Sequence, residues 1–324
     1  MSAQIRSGPL KICVLGGTGF VGRALVERLV ADGHGVTVIS RNSARHLDRS
    51  LPPNAMIRDC NEYDPAALTH ALQGSDAAIN LVGILNETGG FGRNDSGRGF
   101  ARAHVELTRT LIAACREASV PRLLQMSALN AGRGRSHYLR TRGEAEELVK
   151  TSGLDWTIFQ PSVIFGPGDG LFCRFAALLR IAPALPLARA SAKFAPVYIG
   201  DVVEAFARAL ADAHASSQSY ELYGPDIVTL AQIVRMTAQQ MGLHRIVIPL
   251  PDALGRVQAF AMDFVPGKPF SSDNFRSLLT DSVGGIDGLH RLGITPTKIA
   301  AILPDILGHG EDRQARLDRY RARY

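Results

Sequence analysis

The sequence predicts an α/β protein built on a doubly wound parallel sheet, with a smaller α/β cap at its C-terminal side. Three observations predict it. Short apolar runs alternate with helical patterns through residues 12–159. The first of these runs passes straight into a glycine-rich turn that opens a helix. Beyond about residue 165 the alternation gives way to prolines and short elements. Repeated strand–helix units imply parallel strands covered on both faces, because each crossover helix buries its apolar stripe on the sheet. Right-handed crossovers then bring ligand to the carboxyl ends of the strands.

The first strand, Ile12–Leu15, runs into Gly16-Gly17-Thr18-Gly19-Phe20-Val21-Gly22, and apolar residues then recur at helical spacing through Leu25, Leu29 and Val30. Gly16 permits a sharp turn. Gly19 lets backbone N–H groups approach a pyrophosphate at the helix N-terminus, and Gly22 lets the helix pack close to the strand. Strands follow at Val36–Ile39, Ala55–Arg58, Ala77–Val82, Leu123–Met126 and Trp156–Phe159. Helical patterns cover Pro65–Leu72, Phe100–Ala118 and Gly143–Thr151. Further on, Val197–Ile199, Tyr220–Tyr223 and Arg245–Ile248 read as strands, Val202–Leu210 and Leu230–Met241 as helices. These divide the chain into a dinucleotide-binding domain over residues 10–165, a cap over 166–308 in which Val197–Leu210 returns to the main sheet, and a basic tail over 309–324. Asn86–Gly99 holds five glycines among polar residues and reads as a flexible loop over the nicotinamide side.

Composition narrows the function. The net charge of +6 comes from 36 Lys plus Arg against 30 Asp plus Glu, which suits a phosphate-bearing ligand or an anionic surface. No helix-turn-helix, zinc-finger or RNA-binding signature accompanies it, so nucleic acid is not an expected partner. The four cysteines are scattered, without a Cys-x-x-Cys, and indicate neither a disulfide framework nor a metal site. No apolar stretch approaches the ~18 residues of a membrane span. A cytoplasmic protein is expected, or one peripheral on the cytoplasmic face of the inner membrane.

Arg41 follows the second strand directly, in Val38-Ile39-Ser40-Arg41-Asn42, with Arg45 one turn on. An NAD site ends this strand with Asp or Glu, which holds the ribose 2′-hydroxyl. A guanidinium there pairs instead with a 2′-phosphate, which favours NADP(H) over NAD(H).

The Gly-x-x-Gly-x-x-Gly spacing resembles the extended and atypical short-chain dehydrogenase/reductase (SDR) superfamily, whose nucleotide-binding half is a Rossmann fold. The resemblance implies further cofactor contacts. Asp59 and Cys60 end the third strand, against the adenine. Asn80, Val82 and Gly83 end the fourth, where small residues let the backbone lie along the cofactor; the alternative for Asn80 is that it only caps the turn. The family's catalytic Ser falls on Ser127 and its Tyr on Tyr138. Four residues on, where the family has Lys, stands Arg142. In the family that Lys binds the nicotinamide ribose and lowers the Tyr pKa. Arg keeps the charge on the same helix face but carries a bulkier planar fork. The fork is expected to sit too far out, or to meet the ribose differently, so that binding survives while chemistry weakens.

Longer stretches sharpen the resemblance: Tyr138-Leu-Arg-Thr-Arg-Gly-Glu-Ala-Glu146, Gln160-Pro-Ser-Val-Ile-Phe-Gly-Pro-Gly-Asp169, Phe194-Ala-Pro-Val-Tyr-Ile-Gly-Asp-Val-Val203, Tyr220-Glu-Leu-Tyr-Gly-Pro-Asp-Ile-Val-Thr-Leu230, and the pairing of Pro266-Gly-Lys-Pro269 with Leu292-Gly-Ile-Thr-Pro-Thr297. Over about residues 10–308 the chain resembles the atypical SDR group of the nucleotide-binding accessory subunit of respiratory complex I and its bacterial relatives. That implies bound NADP(H), with Pro161, Ser162 and Val163 along the nicotinamide, weak or absent turnover, and a respiratory-chain or quinone-biosynthesis protein partner. The alternative is an active reductase, epimerase or dehydratase on a small carbonyl or a sugar nucleotide, worked by Ser127, Tyr138 and Arg142.

Overall fold

In a computed structural model the described residues are 8–41, 51–61, 63–87, 97–265 and 270–308. Arg45, most of the glycine-rich loop, Pro266–Pro269 and the basic tail lie outside them. In chain order the first half comprises β1 (Lys11–Leu15), α1 (Phe20–Ala31), β2 (Gly35–Ser40), β3 (Met56–Asp59), α2 (Pro65–Leu72), β4 (Ala77–Asn80), α3 (Arg98–Phe100), a π-helical stretch (Ala101–Glu106), α4 (Leu107–Glu117), β5 (Arg122–Met126), α5 (His137–Lys150) and β6 (Asp155–Pro161). There follow β7 (Ile164–Phe165), α6 (Phe172–Ile181), β8 (Ala184–Ala188), β9 (Lys193–Phe194), β10 (Val197–Tyr198), α7 (Ile199–Ala211), β11 (Gln218–Leu222), β12 (Val228–Thr229), α8 (Leu230–Gln240), β13 (Ile246–Leu250), α9 (Asp252–Met262), α10 (Ser272–Ser277), α11 (Gly288–Arg291) and α12 (Ile299–Leu307).

The main sheet has seven parallel strands in the order β11-β6-β5-β4-β1-β2-β3. The strand order reverses between β1 and β4, which opens a crevice at their carboxyl ends. Side chains alternate across the sheet, as the pleat requires. Ile12 and Val14 enter one core with Leu25 and Leu29 of α1 and Val202 and Phe206 of α7. Cys13 and Leu15 enter the other, with Leu68 of α2, Leu111 and Cys115 of α4 and Val149 of α5. Burial pushes the Cys13 and Cys115 thiols up to about 12, so they behave as small apolar groups.

The structure departs from the sequence reading in the strand that returns to the main sheet, in the start of α5 and in the helix read as continuous from Phe100. The segment that returns to the main sheet as a strand is Gln218–Leu222, which pairs with β6. Val197–Tyr198 pairs instead with Ile164–Phe165 in a separate ladder, while α7 packs across α1. Helix α5 begins at His137, six residues before the apolar pattern starts, because Ser136 caps it: its hydroxyl accepts from Leu139 N at 3.1 Å. The cap holds a two-stranded β8–β13 ladder among α6, α8, α9 and α12. Asp201 of α7 accepts from Thr297 N and Oγ1 at 2.7 and 2.8 Å and ties the segment before α12 to the main body. Among the described residues no helix is long and apolar enough to cross a membrane.

Candidate dinucleotide site

The turn after β1 is shaped by glycines at backbone contact. Gly16 adopts φ +77°, and Gly19 N donates to Gly16 O at 3.0 Å. A Cβ on Gly22 would lie 2.2 Å from Gly16 O, which is why α1 can seat directly on the turn. Gly17, which the sequence reading left without a role, has no room either: a Cβ there would lie 2.8 Å from Val38 of β2. No side chain caps α1 at Gly19, so the first-turn N–H groups of Phe20, Val21 and Gly22 have no intrahelical acceptor at the carboxyl end of β1. The Thr18 carbonyl accepts from Arg23 at 2.9 Å, which fixes the turn from outside. This is a cradle that fits a pyrophosphate.

The strand ends around it are placed as follows. Arg41 is exposed directly after β2. Asp59 is exposed at the end of β3, and Ser40 stands opposite it in register. Cys60 is turned into the second core. Asn80 caps the turn: its Oδ1 accepts from Val82 N at 3.1 Å and its Nδ2 donates to Gln125 at 3.0 Å.

Arg142 is buried, and its guanidinium is not displaced outward. Nη1 donates to the carbonyls of Val82 at 3.3 Å and Met126 at 3.0 Å. A Cβ on Gly83 would lie 1.9 Å from Nη2, so only glycine leaves space for the fork there. The fork also lies 5.5 Å from the centre of the Tyr138 ring, while Nε is buried without a hydrogen-bond partner. The expected outward position is therefore incorrect: the carbonyl ends of two adjacent strands draw the cation in.

Tyr138 is framed by His104, whose ring lies 5.5 Å away edge-on, and by Phe100. His104 shares a 2.8 Å hydrogen bond with Thr141 and accepts from Ile84 N at 3.4 Å. Burial, and then the Arg142 charge, hold its pKa down to about 2, so the ring is neutral. Sequence reasoning missed His104, because a lone His inside an amphipathic helix carries no signal of its own.

Ser127 is 3% exposed and donates to Glu146 Oε1 at 2.5 Å. Glu146 also accepts from Gln160 Nε2 at 2.9 Å. Glu146 was missed as well, yet Tyr138, Arg142 and Glu146 recur every four residues along one face of α5. Ser162 is engaged too, donating to Ser282 O at 2.8 Å. Pro161 closes the β6–β11 register against Leu222, and the Val163 carbonyl accepts from Val197 N at 3.0 Å. Among the described residues no cluster of His, Cys, Asp or Glu is arranged to hold a metal.

Residues 16–170 match the family model described as NAD(P)H-binding. The chain is similar to the mitochondrial protein NADH dehydrogenase (ubiquinone) 1 alpha subcomplex subunit 9 of Mus musculus, with 30% identity over 305 residues, covering 88% of this chain and 76% of that one. The protein of the same name from Arabidopsis thaliana is 28% identical over 306 residues, covering 88% and 74%. The fold is shared with the NADPH-dependent quinone oxidoreductase of Escherichia coli solved with NADPH, at TM-score 0.69 and 22% identity over 90% of this chain and 97% of that one.

Proposed function

This chain belongs to the family of NADH dehydrogenase (ubiquinone) 1 alpha subcomplex subunit 9, and from that premise we propose that it binds NADP(H) tightly, turns it over weakly or not at all, and serves a respiratory complex I or quinone-handling assembly. Bound at such a site, a nicotinamide dinucleotide supplies hydride transfer. The glycine turn, the uncapped α1 N-terminus and Arg41 would hold its phosphates, with the Arg142 face of α5 toward the ribose. The absence of a carboxylate after β2, with Arg41 in that place, supports NADP(H) over NAD(H).

The observation that carries weak turnover is the 2.5 Å bond from Ser127 to Glu146. A catalytic serine must offer its hydrogen to a substrate oxygen. Here that hydrogen is held by a buried carboxylate. Breaking a hydrogen bond to a charged group costs about 1.5–3 kcal/mol, roughly one to two orders of magnitude in rate. The test is to titrate the purified protein with NADPH and NADH by nicotinamide fluorescence, then to assay a panel of quinones, aldehydes and sugar nucleotides. We expect saturable NADPH binding, and turnover below ~1 s⁻¹, the lower end of ordinary enzymes. Faster reduction of any substrate that Tyr138→Phe abolishes would overturn the reading in favour of an active reductase.

A further inference from the structure

A second space adjoins Tyr138, on the side of the cap. It is a cavity of about 390 Å³, within the ~300–1,000 Å³ typical of small-molecule sites. Its floor is Tyr138 with Val163 and Leu85, and its walls come from α6, β8, α9 and α10 of the cap, with Phe175, Leu178 and Leu187 among them. No Asp or Glu is among the described residues that line it. Two of its polar side chains are occupied by backbone: Gln258 donates to Pro186 O at 3.1 Å and Asn274 to Leu85 O at 3.1 Å. Arg174 brings the one formal charge among those lining residues.

A sugar nucleotide would need acceptors for its hydroxyls and several cations for its phosphates. The cavity provides the opposite, an aliphatic and aromatic surface that gains from burying hydrocarbon. We propose that it holds the hydrocarbon chain of a lipid-class ligand whose polar head lies toward Tyr138. This names the ligand class for the same cleft and rests on the functional reading only for which side of Tyr138 the cofactor takes. Helix α9 adds an independent observation. It turns Met262 into the cavity while Leu254, Val257, Phe260 and Phe264 stay exposed on or just after it. The helix thus carries apolar side chains toward the cavity, beside Gln258, and on its exposed face, which suits a ligand that arrives from an apolar phase.

The test uses the full chain saturated with NADPH and a fluorescent polyene fatty acid, cis-parinaric acid, as probe. Hexadecanoate, farnesol and UDP-glucose serve as competitors. We expect saturable probe binding, displacement by hexadecanoate, by farnesol or by both, and none by UDP-glucose; the effective competitor identifies the chain as acyl or isoprenoid. Leu178→Glu places a carboxylate among apolar groups and should weaken probe binding at least about tenfold. Met262→Trp should do so by filling the space, while Ile181→Glu on the exposed outer face should not. NADPH fluorescence measured in the same samples reports folding and keeps the two readings apart: lost NADPH binding with intact probe binding counts against the cofactor reading alone. Probe binding that is absent, that UDP-glucose displaces, or that both cavity variants leave unchanged while NADPH still binds, overturns the proposal.

Discussion

A methyl group at position 22 would meet the Gly16 oxygen at 2.2 Å and Gly17 Cα at 2.6 Å, and both are backbone atoms that cannot rotate away. Gly22→Ala should therefore push α1 off the turn. The expected cost is about 1–3 kcal/mol in denaturant unfolding, the range of overpacked sites, together with loss of NADPH fluorescence enhancement; unchanged binding would put the cofactor elsewhere. Arg142 sets a different case. Its Nη1 donates to both Val82 O and Met126 O while Nη2 fills the space over Gly83, a planar shape that an ammonium does not reproduce. Arg142→Lys should keep cofactor binding and leave turnover low, since Ser127 remains tied to Glu146. A large rate gain in this variant would move the block from Ser127 to Arg142. The glycine turn was legible in the sequence because its spacing is local, whereas Ser127, Tyr138 and Arg142 were expected from the family resemblance. The Ser127–Glu146–Gln160 network was not legible, because its members lie 19 and 14 residues apart and meet only through the packing of α5 on β5 and β6.

Between α3 and α4 the helix widens into a π-helical stretch, Ala101–Glu106, which packs on α5 and delivers His104 to Thr141. Such widenings re-aim side chains that a regular helix would turn elsewhere. His104 is held neutral in the folded protein, at about 2 against an ordinary 6.5. The unfolded chain binds a proton below pH 6.5 that the folded chain refuses, so stability falls as pH drops below 6.5 and is level above it. One such group contributes up to ~1.4 kcal/mol per pH unit. His104→Gln should flatten the acid limb of unfolding free energy against pH by up to that slope, and parallel profiles for parent and variant would refute the burial of a neutral ring. At this scale the sequence showed strands and most helices by period. Its apolar pattern placed the start of α5 late, because Tyr138-Leu-Arg-Thr-Arg142 has no apolar repeat, although the resemblance had put Tyr138 and Arg142 on one helix face; the cap at Ser136 decides the boundary. It read a continuous helix from Phe100, since a π-helical turn leaves no mark in apolar spacing.

Across the molecule, the two halves of the sequence do not stand apart. Strand β11, from beyond residue 165, completes the main sheet beside β6, α7 packs on α1, and Asp201 holds Thr297 to the same body. The sequence reading anticipated a returning segment but chose Val197–Leu210, because the β11 run is short and has polar residues at Gln218, Ser219 and Glu221. With the cofactor cradle and the cap sharing one sheet, a ligand that binds only the folded chain stabilises all of it. The gain is RT ln(1 + [L]/Kd), about 2.7 kcal/mol at a hundredfold excess over Kd. At roughly 2–4 °C per kcal/mol for chains of this order of size, saturating NADPH should raise Tm by about 5–10 °C in a single transition. NADH at equal concentration should raise it less, because it has no 2′-phosphate for Arg41. Arg41→Ala should lower NADPH affinity by the ~1.5–3 kcal/mol of a charge-assisted bond and bring its shift down to that of NADH, with the NADH shift unchanged. Equal losses for both cofactors would remove Arg41 from the 2′-phosphate. A second transition that NADPH leaves in place would show that the cap unfolds independently of the sheet it completes.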